Sequence, residues 1–302
     1  MNIKKIFITG AGGFIGNHLV NYLIDEGYQI IGIDLHGPDN LNYSKFYTVD
    51  LLSSQIDDLF KEHQPDFCIH AAGPASVQNS LMFLENDFKL TMLPTFNILK
   101  AIKNNCPKCR FIYLSSAAVY GNPIKLPIDE DQAIQPISPY GFHKMHAENI
   151  CREFYSLYRI PIAVARIFSA YGNGLKKQLL WDICMKAKKS NVVELSGTGE
   201  ETRDFINVID LCEAIKLIIE KGPFDLDFYN VANGYQIKIK EVAAFLVSAF
   251  PNVSELRFTG EKRLGDPINW EADIMKIRKL GYKQKVDFKE GVLQYAEWFK
   301  RI

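Results

Sequence analysis

Apolar runs and helix-period patterns alternate along the first half of the chain. Short runs rich in Ile, Val, Phe and Tyr predict strands at 3–9, 28–34, 45–49, 66–70, 109–115 and 161–167. Between them, apolar positions recurring every three to four residues predict helices at 14–26, 53–62, 80–104 and 139–158. Alternation of this kind requires parallel strands with helices on both faces, so the fold class is α/β with a doubly wound parallel sheet. After residue 168 the rhythm changes. A helix near 176–189, a strand near 192–196, the turn at Gly197 and Gly199 and further short elements predict a smaller mixed α/β lobe over 169–302. A helix at 207–220 and a strand at 228–232 read as parts of the large sheet, so the first domain, 1–168, takes back parts of 204–232. Chemistry-bearing residues fall at the carboxyl ends of the predicted strands, the rim where open α/β sheets bind ligands.

The first strand runs directly into Gly10, Gly13 and Gly16, which open a helix. Gly10 allows the tight turn, Gly13 lets the backbone approach a pyrophosphate, and Gly16 lets the helix pack close to the sheet. The N–H groups at the helix start, around Phe14 and Ile15, face the phosphates with the positive end of the dipole. A glycine triplet alone also serves ligand-free turns; here a second apolar strand ends in Asp34, about 18 residues past Gly16, where a carboxylate meets the hydroxyls of an adenine ribose. The reading is a Rossmann-type dinucleotide site. Asp34 repels the 2′-phosphate of NADP, and no Arg or Lys follows in the next four residues through Pro38, so the expected cofactor is NAD.

Composition narrows the setting. Apolar residues make up 47% and charged residues 23% of 302, with 35 basic and 35 acidic side chains. No global basic field attracts nucleic acid or an anionic membrane, so any anionic ligand must be held locally. No apolar run approaches the roughly 18 residues of a membrane span, and the first strand begins almost at once. A cytoplasmic protein is expected. Six scattered cysteines fit a reducing compartment. Cys106 and Cys109 have zinc or redox spacing without further ligands, and His143 and His146 lack a converging third ligand, so no metal is expected.

Tyr140 and Lys144 stand at the start of the helix introduced by Pro136 to Pro139, and their i, i+4 spacing places hydroxyl and ammonium on one face. A nearby cation favours tyrosinate, and the positive nicotinamide of a bound NAD⁺ would lower the tyrosine further, so the pair is expected to supply a base near neutral pH. Ser115 and Ser116 end a buried strand on the same rim. Taken together, the glycine loop, Asp34, His70-Ala71-Ala72-Gly73, the Ser115-to-Gly121 segment and the Tyr140/Lys144 pair resemble the extended short-chain dehydrogenase/reductase family. Within it they look like the NAD-dependent nucleotide-sugar epimerases and dehydratases, of the UDP-glucose 4-epimerase kind. The likeness continues through Arg166 to Gly172, Glu201 to Asp210 and Arg263 to Asp266, and so covers nearly the whole chain.

The resemblance implies that Ser116 hydrogen-bonds the sugar 4-oxygen, Tyr140 moves its proton, and Lys144 binds the nicotinamide ribose while tuning Tyr140. It places Asp50 and Leu51 beside the adenine, and Ala71, Ala72, Gly73 and Ser115 among the remaining NAD contacts. Arg203 and Arg263 would grip the substrate pyrophosphate, a task suited to forked guanidinium donors; their plain alternative is an ion pair, for Arg203 with Asp204 or Glu201. The segment from Gln178 to Trp181 would meet the nucleotide base. A homodimer is implied as well. Three departures from the family pattern stand out. Ala117 and Ala118 stand where dehydratases carry Asp-Glu, which argues against water elimination. Thr91 and Pro94 replace Asn and Gly in the helix after His70, and Pro94 predicts a kink. Ser169 stands where many epimerases have Asn. The function expected is therefore NAD-dependent epimerisation at C4 of a nucleotide sugar through a transient 4-keto intermediate. The rivals are an NAD(P)H-dependent reductase of a 4-keto-6-deoxy nucleotide sugar and a non-catalytic NAD(H)-binding relative.

Overall fold

The computed structural model describes residues 3–37, 43–261 and 263–302; Pro38, the last residue of the cation-free segment after Asp34, lies outside them. Seven parallel strands form the central sheet, built in chain order from β1 (Lys5–Thr9), β2 (Gln29–Asp34), β3 (Lys45–Thr48), β4 (Phe67–His70), β5 (Arg110–Ser116) and β6 (Ile162–Ile167). A late strand completes it. Between β6 and that strand lie β7 (Ser169–Tyr171), β8 (Val192–Leu195), β9 (Thr202–Arg203) and β10 (Phe205–Asn207), and the late strand is β11 (Asp225–Val231). The spatial order is β11-β6-β5-β4-β1-β2-β3. Chain order reverses between β1 and β4, the switch point at which such sheets open a crevice.

Alternation along each strand divides the core. In β1, Ile6 and Ile8 enter one apolar layer and Phe7 the other. The first layer is closed by α1 (Phe14–Asp25), through Leu19 and Leu23, and by a helix at Val208–Lys221, through Leu211 and Ile215. The second is closed by α2 (Gln55–His63) with Phe60 and by two long helices at Leu84–Asn105 and Pro139–Tyr158, through Ile98, Ile102, Ala147 and Cys151.

The helix expected at 80–104 is two helices, α3 (Val77–Met82) and α4 (Leu84–Asn105), because Phe83 leaves helical geometry at φ −126° and ψ 58°. Ser76 caps α3, its Oγ accepting from Asn79 N at 3.2 Å. α4 runs unbroken through Pro94. The next helix, α5 (Pro139–Tyr158), begins where its signals place it: Ser138 Oγ accepts from Gly141 N at 3.2 Å, and Pro139 occupies the first turn.

A third apolar cluster joins α6 (Gln178–Lys189) to elements that follow α7 (Val208–Lys221). These are β12 (Ile237–Lys238), α8 (Ile239–Val247), β13 (Glu255–Phe258) and, after α9 (Met275–Lys279), whose Ile277 belongs to the first layer, α10 (Phe288–Lys300). Ile183 from α6, Val193 from β8, Leu246 from α8 and Tyr295 from α10 share that cluster. β7 pairs with β10, β9 with β12, and β8 with β13, so three two-stranded sheets surround the carboxyl end of the central one. Cys106 and Cys109 lie between α4 and β5, at the opposite edge from Ser116, and both are buried free thiols.

Candidate active site

A cleft of about 760 Å³ opens at the carboxyl ends of β1, β4, β5 and β6. One wall is the glycine loop. Gly10 takes φ +69°, and a Cβ there would sit 2.5 Å from Ala72 N; a Cβ on Gly16 would meet Gly10 O at 2.0 Å. These two contacts explain why no larger residue serves. Gly13 begins α1 with no side-chain cap, and the first turn carries no acid. The N–H groups there have the positive dipole end and no acid of the helix's own first turn to neutralise it, an arrangement fitted to a pyrophosphate. Gly13, Phe14, Ile15 and Gly16 all line the cleft, as do Ala71 and Gly73 across from them.

Asp34 ends β2 beside this loop. Its Oδ2 accepts from Gly12 N at 2.8 Å and its Oδ1 from Leu35 N at 2.7 Å, so the carboxylate is fixed at the loop's back. Asp50 is exposed and holds its own turn through Leu52 N, while Leu51 is buried and its carbonyl accepts from Asn97. These three and Ala72 lie outside the main cleft lining.

The opposite wall gathers Ser116, Tyr140 and Lys144. Ser116 Oγ caps the short turn at Ala117–Tyr120, accepting from Ala118 N at 3.2 Å. Burial pushes the Tyr140 hydroxyl up to about 12; the neighbouring Ser116 hydroxyl lowers it and the Asp87 carboxylate raises it. Lys144 Nζ donates to Leu114 O at 2.9 Å and lies 5.9 Å from the centre of the Tyr140 ring. Burial brings Lys144 down to about 8, against the pull of Asp87 and Glu148. Among the influences that the chain itself exerts on Tyr140, desolvation of the hydroxyl dominates.

Ser115 lines the cleft, but its hydroxyl donates to Glu148 Oε1 at 2.6 Å. Glu148 is held in turn by two bonds from Arg166, at 3.0 and 2.9 Å, both side chains being 1% exposed. The Ser115 side chain thus ties β5 to α5, and the buried Glu148–Arg166 pair ties α5 to β6.

At the far end lie Ser169, Arg203 and Arg263. Arg203 donates to Thr202 O at 2.8 Å and stacks 5.4 Å from the Trp270 ring centre. Neither proposed ion-pair partner is available to it. Glu201 accepts from Thr198 and Gly199, and buried Asp204 accepts from Asn233 N, Gly234 N and Ala272 N. Asp266 is the acid that Arg203 and Arg263 both influence; its pKa is raised by burial and lowered by the two guanidinium groups. Gln178 and Trp181 line the same region, and Gln178 holds a left-handed φ of 67°.

Two features escaped the sequence reading. Lys177, just before α6, lines the cleft with no hydrogen bond or ion pair among the described residues, and burial lowers its pKa. Asp87 of α4 accepts from His143 Nδ1 of α5 at 2.5 Å, both buried. Neither has a local spacing signal, since each depends on packing between elements distant in the chain.

Comparison with known proteins agrees with this geometry. The family model described as "NAD dependent epimerase/dehydratase family" matches residues 6–232. A putative UDP-glucose 4-epimerase of Methanocaldococcus jannaschii is 29% identical, over 98% of this chain and 98% of that protein. The solved UDP-glucose 4-epimerase of Thermotoga maritima with UDP-glucose superposes with a TM-score of 0.89 at 27% identity, covering 98% of this chain and 99% of the other. A UDP-glucuronic acid 4-epimerase of Bacillus cereus, solved in complex with UDP-glucuronic acid and NAD, gives 0.87 at 26% identity with the same coverage. The chain belongs to the NAD dependent epimerase/dehydratase family of extended short-chain dehydrogenase/reductases.

Proposed function

We propose that this protein epimerises a nucleotide-activated sugar at C4 through a transient 4-keto intermediate. The observation that carries the reading is the convergence of Ser116, Tyr140 and Lys144 on one wall of a single cleft that faces the glycine cradle and extends to Arg203 and Arg263. The three names reported above, all 4-epimerases, support it.

Gly10, Gly13, Phe14, Ile15 and Gly16 would hold the NAD pyrophosphate, and Asp34 the adenine ribose. NAD, when bound, supplies reversible hydride acceptance and return. The chain's part is to hold the sugar and move a proton. Ser116 Oγ is placed to hydrogen-bond the 4-oxygen, and Tyr140, next to it, to take the C4 hydroxyl proton and later give it back. Lys144, fixed by Leu114 O, presents a charge beside the tyrosine and toward the nicotinamide ribose. Arg203 and Arg263 would bind the substrate pyrophosphate, with Ser169 contributing at the position usually held by an amide.

Elimination of water needs an acid/base pair near the sugar C5 and C6. The two positions after Ser116 are Ala117 and Ala118. Of the acids lining the cleft, Asp182 pairs with Lys186 and Glu201 accepts from the 198–199 turn, while Asp266 stands at the far end, in the field of the two arginines. Epimerisation therefore fits better than dehydration. Native mass spectrometry of the purified chain tests the cofactor half of the reading: one NAD retained per chain supports it, and retention of NADP or of nothing under any loading condition contradicts it.

The same reading includes a homodimer. Phe88, Leu93 and Phe96 of α4 and Phe142, Leu157 and Tyr158 of α5 are 40% to 68% exposed, an apolar face on two adjacent helices. A second copy docking there would bury it isologously. Phe96→Glu is expected to give monomers in sedimentation, and an unchanged mass would place any dimer elsewhere.

A further inference from the structure

Trp270, in the segment between β13 and α9, lines the cleft and is buried, and the roles proposed so far leave it unused. Three parts of the fold hold it. Its indole Nε1 donates to Gly121 O at 3.0 Å, the carbonyl that follows the Ala117–Tyr120 turn capped by Ser116. Its ring meets that of Phe168, just past β6, edge to face at 5.8 Å. Its backbone N donates to Thr202 O at 3.3 Å and Ile268 O accepts from Thr202 N at 3.0 Å, so 268–270 runs alongside β9. Ile268 N adds a second tie to the end of the Ser116 turn, donating to Asn122 Oδ1 at 2.8 Å. A buried indole whose N–H is bonded and whose ring is packed presents a fixed face. Arg203 stands over that face, its Cζ 5.4 Å from the ring centre. Both hydrogen bonds of the guanidinium leave from Nη1, to Thr202 O at 2.8 Å and to Ile268 O at 3.3 Å. Among the described residues Nε and Nη2 have none, and these two form one edge of the fork, the kind of edge that matches a pair of phosphate oxygens.

We propose that Trp270 is a positioning residue that clamps the Arg203 guanidinium in fixed register with the Ser116 turn, leaving the Nε–Nη2 edge for a diphosphate. A free arginine gives up rotamer freedom when it grips an anion. A stacked arginine with one nitrogen already bonded has given that freedom up beforehand, so less is lost on binding. The indole supplies attraction as well as shape, since the ring face is negative and the guanidinium lies over it. Through Gly121 O the same ring is tied to the turn that carries Ser116. A diphosphate seated on Arg203 therefore fixes where the attached sugar falls relative to Ser116 Oγ.

That Arg203 meets a substrate diphosphate rests on the function proposed above; that Trp270 holds Arg203 does not. Two readouts separate these. In the full-length chain labelled with 15N-arginine, the Arg203 Nε–H signal is identified by its loss in Arg203→Lys, and the Trp270 ring current displaces it. Trp270→Leu is expected to move that signal toward those of exposed arginines. Trp270→Phe keeps a ring and moves it less. Calorimetric titration with UDP, GDP, CDP and dTDP gives the second readout. The tightest binder of the four is expected to lose about fivefold in affinity in Trp270→Leu and no more than about twofold in Trp270→Phe, the scale of a cation–π contact. In an Arg203→Ala background neither substitution costs anything further, because the clamp has nothing to hold. Trp270→Phe, compared with and without Arg203, also serves if Trp270→Leu does not fold. An Arg203 signal that neither variant moves, or an affinity loss as large without Arg203 as with it, overturns the proposal. A moved signal with no binding of any of the four nucleotides, or with full affinity in Arg203→Ala, keeps the clamp and removes the diphosphate role of Arg203.

Discussion

Cofactor choice is the most quantitative consequence of the site, and Asp34→Asn probes it. Asp34 is half-buried at the end of β2, each oxygen receiving one backbone N–H, at 2.8 Å from Gly12 and 2.7 Å from Leu35. A 2′-phosphate at the ribose position would stand about 4 Å away, where two unit charges repel by about 1 kcal/mol in water and about 4 kcal/mol at the protein surface. The doubly charged phosphate roughly doubles this. Taking the low end for a half-exposed group gives about 2 kcal/mol, or about thirtyfold in favour of NAD. Asparagine removes the repulsion and also one acceptor, so NAD affinity falls by about 1 kcal/mol, or about fivefold, while the NAD-to-NADP ratio drops to within a few-fold of unity. Calorimetric titration of both dinucleotides into stripped wild-type and variant protein measures all four affinities. Equal wild-type affinities, or a variant that keeps the full preference, would show that Asp34 does not face the ribose.

Other substitutions test the remaining parts. Gly16→Ala puts a Cβ 2.0 Å from Gly10 O; the loop must shift, and NAD retention is expected to be lost before the fold, read by mass spectrometry and thermal melting. Arg166→Leu leaves Glu148 buried without its partner and is expected to cost about 3–5 kcal/mol in denaturant unfolding; a loss below about 1 kcal/mol would mean that the pair is solvated in solution. Tyr140→Phe should lower turnover by about a hundredfold or more with NAD binding intact, and a fully active variant removes the proton-transfer role.

The alternation of β1 through β6 with helices was legible because each strand is a short apolar run and each helix has its own period. The start of α5 was legible to the residue, since Ser138 and Pro139 are local signals. Elsewhere tertiary packing decided. Phe83 breaks what reads as one helix over 80–104, although no Gly or Pro marks the break. Within the site, Gly10, Gly16 and Asp34 are readable because a backbone conformation or a strand end dictates them. The fate of the Ser115 hydroxyl was not, because Glu148 and Arg166 come from other elements. Asp87 and His143 lie 56 positions apart and meet only through helix packing. The i, i+4 rule put Tyr140 and Lys144 together, but it does not report that Leu114 O competes for the ammonium.

The central claim is that Ser116, Tyr140 and Lys144 serve a redox cycle that closes on itself at C4. An epimerase regenerates its oxidised dinucleotide at every turnover and has no need of an external nicotinamide. The decisive measurement is NMR of a panel of UDP-, GDP-, CDP- and dTDP-sugars incubated with the protein as purified, with absorbance at the NADH wavelength recorded alongside. The account predicts interconversion of the C4 epimers of one nucleotide sugar, without added cofactor and without net absorbance change. No isomerisation across the panel, together with stoichiometric consumption of added NADH or NADPH by a 4-keto-6-deoxy nucleotide sugar, would contradict it and assign the same three residues to a reductase.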